Sequence, residues 1–206
     1  MLTLYTNPMS RGRIARWMLE EAGADYDVRV RDFGADFADP AFLAINPMGK
    51  VPAIVHDDQV VTEAAAICAY LAEAFPDAGL APLPAERAAY LRWMFFAAGP
   101  LEQAISFRSL EVTPAPEKSG FLGFGDYDRT VAALEQAVSA TPFIAGERFT
   151  AADVYVGSHV LWGQAFGTLP ARDAFAEYGA RVSDRSAYRR ANELDDALMP
   201  VPEAAG

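Results

Sequence analysis

The sequence predicts an α/β domain over residues 1–80 followed by an all-helical domain over residues 86–200. Three observations carry this expectation. Residues 2–30 read as strand, helix and strand, and residues 51–75 read as a hairpin followed by a helix. Beyond residue 85 no segment has the alternation of a strand.

Leu2, Leu4 and Thr6 alternate with Thr3 and Tyr5, and Asn7-Pro8 stops the run, as expected of a short strand. Ser10 is placed to cap a helix from Arg11 to Ala22, with Ile14, Trp17, Met18 and Leu19 on its apolar face and Gly23 just past its end. Tyr26, Val28 and Val30 alternate with Asp25, Asp27 and Arg29, so a second strand completes a βαβ unit. Phe33 to Ile45 is read as loop and short helix. Val51 to Val55 is a short apolar run, His56-Asp57-Asp58-Gln59 closes it, and Val60-Val61 resumes it. Thr62 and Glu63 open an Ala-rich helix with Ile67, Tyr70, Leu71 and Ala74 at helical spacing, which Pro76 ends. Pro52 lacks a ladder donor and marks either a strand edge or a cis turn. Backbone groups turned outward beside a helix N-terminus suit an extended peptide that carries a carboxylate.

Asp77 to Ala85, with Gly79 and two prolines, reads as a linker. Glu86 to Leu110 is a long helical pattern with a break expected at Gly99-Pro100. Glu111 to Gly125 is rich in Pro and Gly and is expected to be a surface loop. Asp126 caps a helix with Tyr127, Val131, Leu134 and Val138 on one face. Thr150 and Asp153 form a capping-box start to an apolar helix through Trp162. Helical stretches near 171–181 and 184–195 follow, and residues 201–206 are expected to fray.

At 206 residues and 52% hydrophobic, the chain can bury one sizeable core or two small ones. A formal net charge of −11 argues against binding led by phosphate contacts, whether to nucleic acid or to an anionic membrane. No stretch has the apolar length of a membrane span, and MLTLYTNPMS lacks the basic start and apolar run of a signal peptide. The single cysteine, Cys68, cannot form an internal disulfide and sits with Ile67 and Leu71 as an inert buried thiol. The expectation is a soluble cytoplasmic protein that binds neither nucleic acid nor membrane. His56 and His159 stand apart without metal-ligand spacing, so no metal is expected, and Gly120 to Gly125 follows no predicted strand and is no nucleotide fingerprint.

Asn46-Pro47-x-Gly49-Lys50-Val51-Pro52, then Glu63-Ala64 and Ile67-x-x-Tyr70-Leu71, resembles the glutathione-recognition half of the cytosolic glutathione transferases, in a bacterial, serine-type-like form. The box at Thr150 and Asp153 resembles the family's C-terminal signature, so the likeness spans nearly the whole chain. It implies a thioredoxin-like fold for the first domain and a homodimer. It also implies an activity of the detoxification kind, in which the thiol of glutathione, the co-substrate, becomes a thiolate and is conjugated to a small hydrophobic electrophile. Two other readings stay open on the same scaffold. One is a glutathione-dependent thiol–disulfide oxidoreductase or peroxidase, although no cysteine stands at the first helix start; the other is a non-enzymatic interaction protein.

A free thiol has a pKa of about 8.5, so the thiolate needs a hydroxyl donor or a helix N-terminus to stabilise it. Ser10 offers both, and counted back from Gly23 it falls where serine-type members carry their catalytic hydroxyl. Tyr5, counted back from Arg16-Trp17, falls where tyrosine-type members carry theirs, and Asn7 is a third donor. The resemblance implies glutathione contacts from Ser10, Arg11, Lys50, Val51, Pro52, Glu63 and Ala64. Glu63 would pair with the tripeptide's amino group, the adjacent helix N–H groups would take its α-carboxylate, and Val51 would offer its backbone to the cysteinyl unit. Lys50, with Arg11 or Arg13, would supply positive charge against an acidic protein field. The family usually has serine where Ala64 stands, and the missing hydrogen bond is worth about 1 kcal/mol. Met9, Trp93, Phe96, Phe107 and Trp162 are the second-substrate candidates, expected between the domains. Exposed Tyr70, Tyr90 and Phe95 would supply the dimer interface.

Overall fold

The structure, a computed structural model, describes residues 1–199; the tail expected to fray at 201–206 lies outside them. The described residues divide into two compact units, residues 1–78 together with 185–199, and residues 79–184.

In the first unit, β1 (Leu2–Thr6), α1 (Gly12–Ala22) and β2 (Asp27–Val30) form the expected βαβ, with β1 and β2 parallel. After a short α2 (Pro40–Leu43) come β3 (Ala53–His56), β4 (Gln59–Thr62) and α3 (Ala64–Ala74). The sheet order is β2-β1-β3-β4, and β3 is antiparallel to both neighbours. The Val51–Pro52 peptide is cis, and β3 begins only after it, two residues later than the apolar run suggests. Helix α1 packs on β1, α3 packs on β3 and β4, and the two helices pack on each other. Leu4, Ile14, Met18, Leu19, Ile54, Ile67 and Leu71 are fully buried there. Phe42 of α2 meets Tyr5 from the opposite side of the sheet.

The second unit is helical. Its long pattern resolves into α4 (Arg87–Phe96) and α5 (Glu102–Ser109), joined by a wide π-helical turn over Ala97–Leu101. Pro100 lies in that turn and has no N–H to close an ordinary α-turn. Three further helices follow: α6 (Tyr127–Ala140), α7 (Ala151–Ala165) and α8 (Asp173–Ser183). Asp126 caps α6 by accepting the Arg129 N–H at 2.8 Å, as its position suggests. Asp153 completes the capping box of α7 and does more than cap. Its carboxylate accepts the Thr150 N–H at 2.9 Å, the Ile144 N–H at 2.7 Å and the Tyr178 hydroxyl at 2.9 Å. One buried side chain thereby joins α7, the preceding loop and α8.

Two expectations change. The segment read as a linker, Asp77 to Ala85, is not loose. Leu80 is buried, its carbonyl accepts the Ala151 N–H at 3.0 Å, and Arg148 donates to the Gly79 and Ala81 carbonyls and pairs with Glu86 at 2.7 Å. The segment is a strap of the helical unit. The last helix, α9 (Ser186–Asp196), leaves the helical domain and joins the first unit, where it packs along α1. Its partners run Arg13 with Asp196, Arg16 with Asp195, Trp17 with Tyr188 and Glu21 with Arg185, so the helices are antiparallel. Arg16 and Asp195 are both buried, and desolvation pushes the Asp195 carboxyl up while Arg16 pulls it back. Periodicity showed that α9 is a helix; which surface it covers depends on charges more than 160 residues earlier.

Arg148 holds the Glu86 carboxyl below the usual carboxylate range, with the Leu83 N–H assisting against burial. A carboxyl whose folded pKa is depressed adds stability at neutral pH that disappears as pH falls through that folded value. Glu86→Gln is therefore expected to melt below the parent protein at pH 7 and together with it in strong acid. Thermal unfolding across pH reads this out, and a constant offset at every pH would contradict the pairing.

Candidate functional site

Register sets the site. Tyr5 pairs with Ala53 and Ala53 with Thr62, so these three residues form one row across β1, β3 and β4. One step beyond that row β1 turns into 7–11, Lys50-Val51-Pro52 leads into β3, and β4 passes into Glu63. Helices α1 and α3 begin from the same end of the sheet. Ser10, Val51 and Glu63 therefore issue from one end of the first unit.

The β1–α1 turn is tightly bonded. Asn7 is buried; its Nδ2 donates to the Arg31 carbonyl at 2.8 Å and its Oδ1 accepts the Met9 N–H at 2.9 Å. Ser10 Oγ donates to the Asn7 carbonyl at 2.7 Å and accepts the Gly12 N–H at 2.9 Å. The serine caps α1 as expected, although the helix begins at Gly12 and Arg11 stands at the formal cap position without a side-chain cap. To serve a thiolate, the Ser10 hydroxyl must rotate off the Asn7 carbonyl; the Gly12 N–H it keeps makes it a better donor. A Cβ on Gly12 would lie 1.9 Å from Thr6 Oγ1, so the first turn of α1 rests directly on the end of β1. Tyr5 is one residue from Thr6 and by strand alternation faces the other way. Its ring lies 5.7 Å from that of Phe42 with the Arg31 guanidinium 5.6 Å above it.

Among the charged candidates, Arg11 and Lys50 are exposed. Arg13 is engaged within the first unit: its Nε donates to the Pro8 carbonyl at 2.6 Å and its two terminal nitrogens bond Asn192 and Asp196. The Lys50-Val51-Pro52 segment is presented by a clamp whose role the sequence reading missed. Asn46 Nδ2 donates to the Lys50 carbonyl at 2.7 Å and Oδ1 accepts the Met48 N–H at 3.1 Å. Gly49 has φ 59°, and a Cβ there would meet the Phe37 carbonyl oxygen at 2.7 Å. Only glycine satisfies both conditions. The motif spacing marked these residues, but not what they hold.

Glu63 has φ 66° and ψ 118°, a conformation that costs a non-glycine residue about 1–3 kcal/mol. It is exposed and does not cap α3, while Ala64 is buried behind it. With no side chain capping α3, its first-turn N–H groups suit a carboxylate.

The aromatic candidates do not gather around one hollow. Trp93 stacks edge-on against Phe96 at 5.3 Å and lines a space of about 300 Å³ with Ala89 and Ile144. Phe107 packs on Phe124 at 5.2 Å and lines a separate cavity of about 750 Å³ with Arg108 and Tyr127. Trp162 is half-buried and Met9 exposed. Tyr90 is buried at 4% exposure, so it belongs to the helical core rather than to an open face. It shares an inward stripe with Met94 and Ala97. Tyr70 bonds His56 Nδ1 at 2.9 Å, and Phe95 is 71% exposed. Burial pushes the Cys68 thiol far up, leaving it unreactive. Among the described residues no His, Cys, Asp and Glu cluster could hold a metal, and no helix is long and apolar enough to cross a membrane.

Residues 1–73 match the family described as glutathione S-transferase, N-terminal domain. The chain is 31% identical to the maleylacetoacetate isomerase of Pseudomonas aeruginosa, with 98% of this chain and 99% of that protein covered. It is 27% identical to glutathione S-transferase GstA of Escherichia coli O157:H7, over 96% of this chain and 97% of that one. A Sulfitobacter glutathione transferase homologue with bound glutathione has a TM-score of 0.74 at 27% identity, covering 97% of this chain and 99% of the other. The fold is a thioredoxin-like α/β domain followed by an all-helical one. The chain belongs to the glutathione S-transferase family.

Because α1 sits on Thr6, Gly12→Ala is expected to destabilise the protein by about 1–3 kcal/mol, the range for overpacking. Thr6→Ala in the same chain should recover part of that loss, as read by chemical denaturation. An unchanged midpoint in Gly12→Ala would show that the turn yields without cost.

Proposed function

We propose that this protein is a glutathione transferase that activates the glutathione thiol at the start of α1 and adds the thiolate to a small hydrophobic electrophile. The observation that carries this is the shared row of β1, β3 and β4, from whose end Ser10, Val51 and Glu63 all issue. In this reading Ser10 turns its hydroxyl from the Asn7 carbonyl to the sulfur and donates a hydrogen bond to the thiolate. The N-terminal dipole of α1 adds to that stabilisation. Val51 meets the cysteinyl backbone, Glu63 the amino group, and the uncapped N–H groups of α3 the α-carboxylate. Lys50 and Arg11 provide local positive charge for an anionic substrate approaching a chain of net charge −11. The packing of Tyr5 against Phe42, away from α1, supports Ser10 over Tyr5, and the two side-chain bonds of Asn7 support a structural role for it. The Sulfitobacter homologue with bound glutathione supports glutathione as co-substrate. The thiolate's electron pair forms the carbon–sulfur bond; in a substitution the leaving group departs into water with its bonding pair, and in an addition the displaced pair stays on the electrophile and takes a proton from water.

The second substrate is assigned to apolar side chains, with exposed Met9 of the first unit among the candidates. A cytoplasmic, detoxifying role accompanies this reading, as does a homodimer supported by exposed Phe95 and Leu91 on α4. Light scattering is expected to give a mass near twice the 22.3 kDa of one chain at micromolar concentration; a monomer mass would reject the dimer.

Ser10→Ala is expected to lower kcat by about ten- to a hundredfold and raise the bound thiol's pKa. That corresponds to about 1.5–3 kcal/mol for a hydrogen bond to a charged group. Tyr5→Phe should leave both nearly unchanged. The reverse result would assign thiol activation to Tyr5. Glu63→Ala should weaken glutathione binding by about the same free energy in calorimetry, while equal affinity would place the tripeptide elsewhere.

A further inference from the structure

We propose that Arg13 is a positioning residue for the thiol-activating turn, and that α9 is the anchor through which it acts. This rests on the transferase reading and on Ser10 as activator.

One guanidinium makes three bonds in three directions. Nε donates to the Pro8 carbonyl at 2.6 Å, Nη1 to Asn192 Oδ1 at 3.2 Å and Nη2 to Asp196 Oδ1 at 2.6 Å. Pro8 lies between Asn7 and Ser10, in the turn whose geometry decides where the serine hydroxyl points. The other bonds described in that turn are local or reach no further than Arg31. The Arg13 bridge ties the turn to the last helix of the chain. That helix is itself firmly seated. Asn192 Nδ2 donates to the Tyr188 carbonyl at 2.9 Å, Tyr188 meets the Trp17 ring at 4.8 Å, and Arg16 pairs with Asp195 at 2.7 Å out of water. The position of Pro8 therefore follows the seat of α9.

The Arg13–Asp196 pair is a weak source of stability, because the Asp196 side chain is 65% exposed and such pairs are screened by water. What it supplies is direction. A planar fork with fixed donor angles can hold a carbonyl and two side-chain acceptors at once, whereas a lysine ammonium presents a single point charge. A second ion pair on the same two helices gives a matched control. Glu21 and Arg185 bond at 2.6 and 2.7 Å at the other end of α1, away from Ser10.

The test is steady-state turnover of glutathione with a chlorodinitrobenzene across pH, with hydrogen exchange on the same variants. Arg13→Gln is expected to lower kcat about tenfold, with KM for glutathione within about twofold, and to shift the thiolate limb of the pH profile upward. Amides in residues 7–12 should exchange faster. Arg13→Lys should not restore kcat. Asp196→Ala keeps the arginine's charge and removes its anchor, so it should also lower kcat; a rise in kcat would mean the charge itself, not the anchorage, is what matters, and would overturn the proposal. Arg185→Gln should lower the melting temperature and leave kcat and the pH limb unchanged. Equal losses of kcat in Arg13→Gln and Arg185→Gln would also overturn it. If the parent protein turns over no electrophile, the transferase reading fails and exchange alone decides. Residues 7–12 exchanging no faster in Arg13→Gln than in the parent then overturn the proposal.

Discussion

The pairing of β1 with β3 and β3 with β4 is the constraint on which the candidate site depends. A slip of one residue in either ladder would turn every side chain to the other face and carry Lys50-Val51-Pro52 away from the ends of β1 and β4. The register is held by burial. Leu4 and Ile54 are paired across the ladder and both are fully buried beneath the helices. The candidate site residues then sit on segments that are not strands, each fixed by its own polar bonds: Asn7 and Ser10 in the first, Asn46 in the second.

Strain and openness sit together at Glu63. The residue adopts a backbone conformation that alanine, serine or glutamate all avoid, and the helix behind it has no side-chain cap. In a purely structural turn both features would be liabilities, since a capping serine or aspartate and a glycine would remove them. Their coexistence at the position that resembles the family's glutathione contact is what a carboxylate-bearing ligand would compensate. Ala64 is buried at this point, so the hydroxyl common in the family has been replaced by a small apolar contact while the backbone donor is kept.

Helix α1 is the element shared by the sheet, α3 and α9. The buried Arg16–Asp195 pair adds little to net stability compared with an apolar pair of similar size, since both ions lose water. Breaking it from one side would strand a charge in the core, and this makes the α9 seat specific rather than merely favourable. Arg16 also reaches the Tyr26 hydroxyl at 3.3 Å, and burial, with the neighbouring Glu20, drives that hydroxyl's pKa far up. The polar edge of α1 is thus largely consumed by structure, and Ser10 sits in the turn at its start.

By itself the sequence determined the local elements and the family. Alternation, capping residues and the Asn46-to-Pro52 and Glu63-to-Leu71 motifs act over a few residues, so βαβ, ββα, the capping box at Thr150 and the break at Pro100 could all be read directly. Residue type and motif order also named Ser10, Val51 and Glu63 as candidates. What tertiary structure decided was every matter set by partners far away in the chain. That α1 rests on Thr6 while Tyr5 packs on Phe42 could not be read locally, because it depends on which face of β1 the helix covers. Arg13 was a candidate ligand cation because Asn192 and Asp196 are invisible from its neighbourhood, and Tyr90 looked exposed because apolar residues occur all round α4, so the inward stripe does not stand out. Asp77 to Ala85 looked like a linker because its partners Arg148 and Ala151 lie far along the chain. Local patterns report backbone preference and amphipathicity; the partner of a charge or the cover of an aromatic ring is a property of the packed chain.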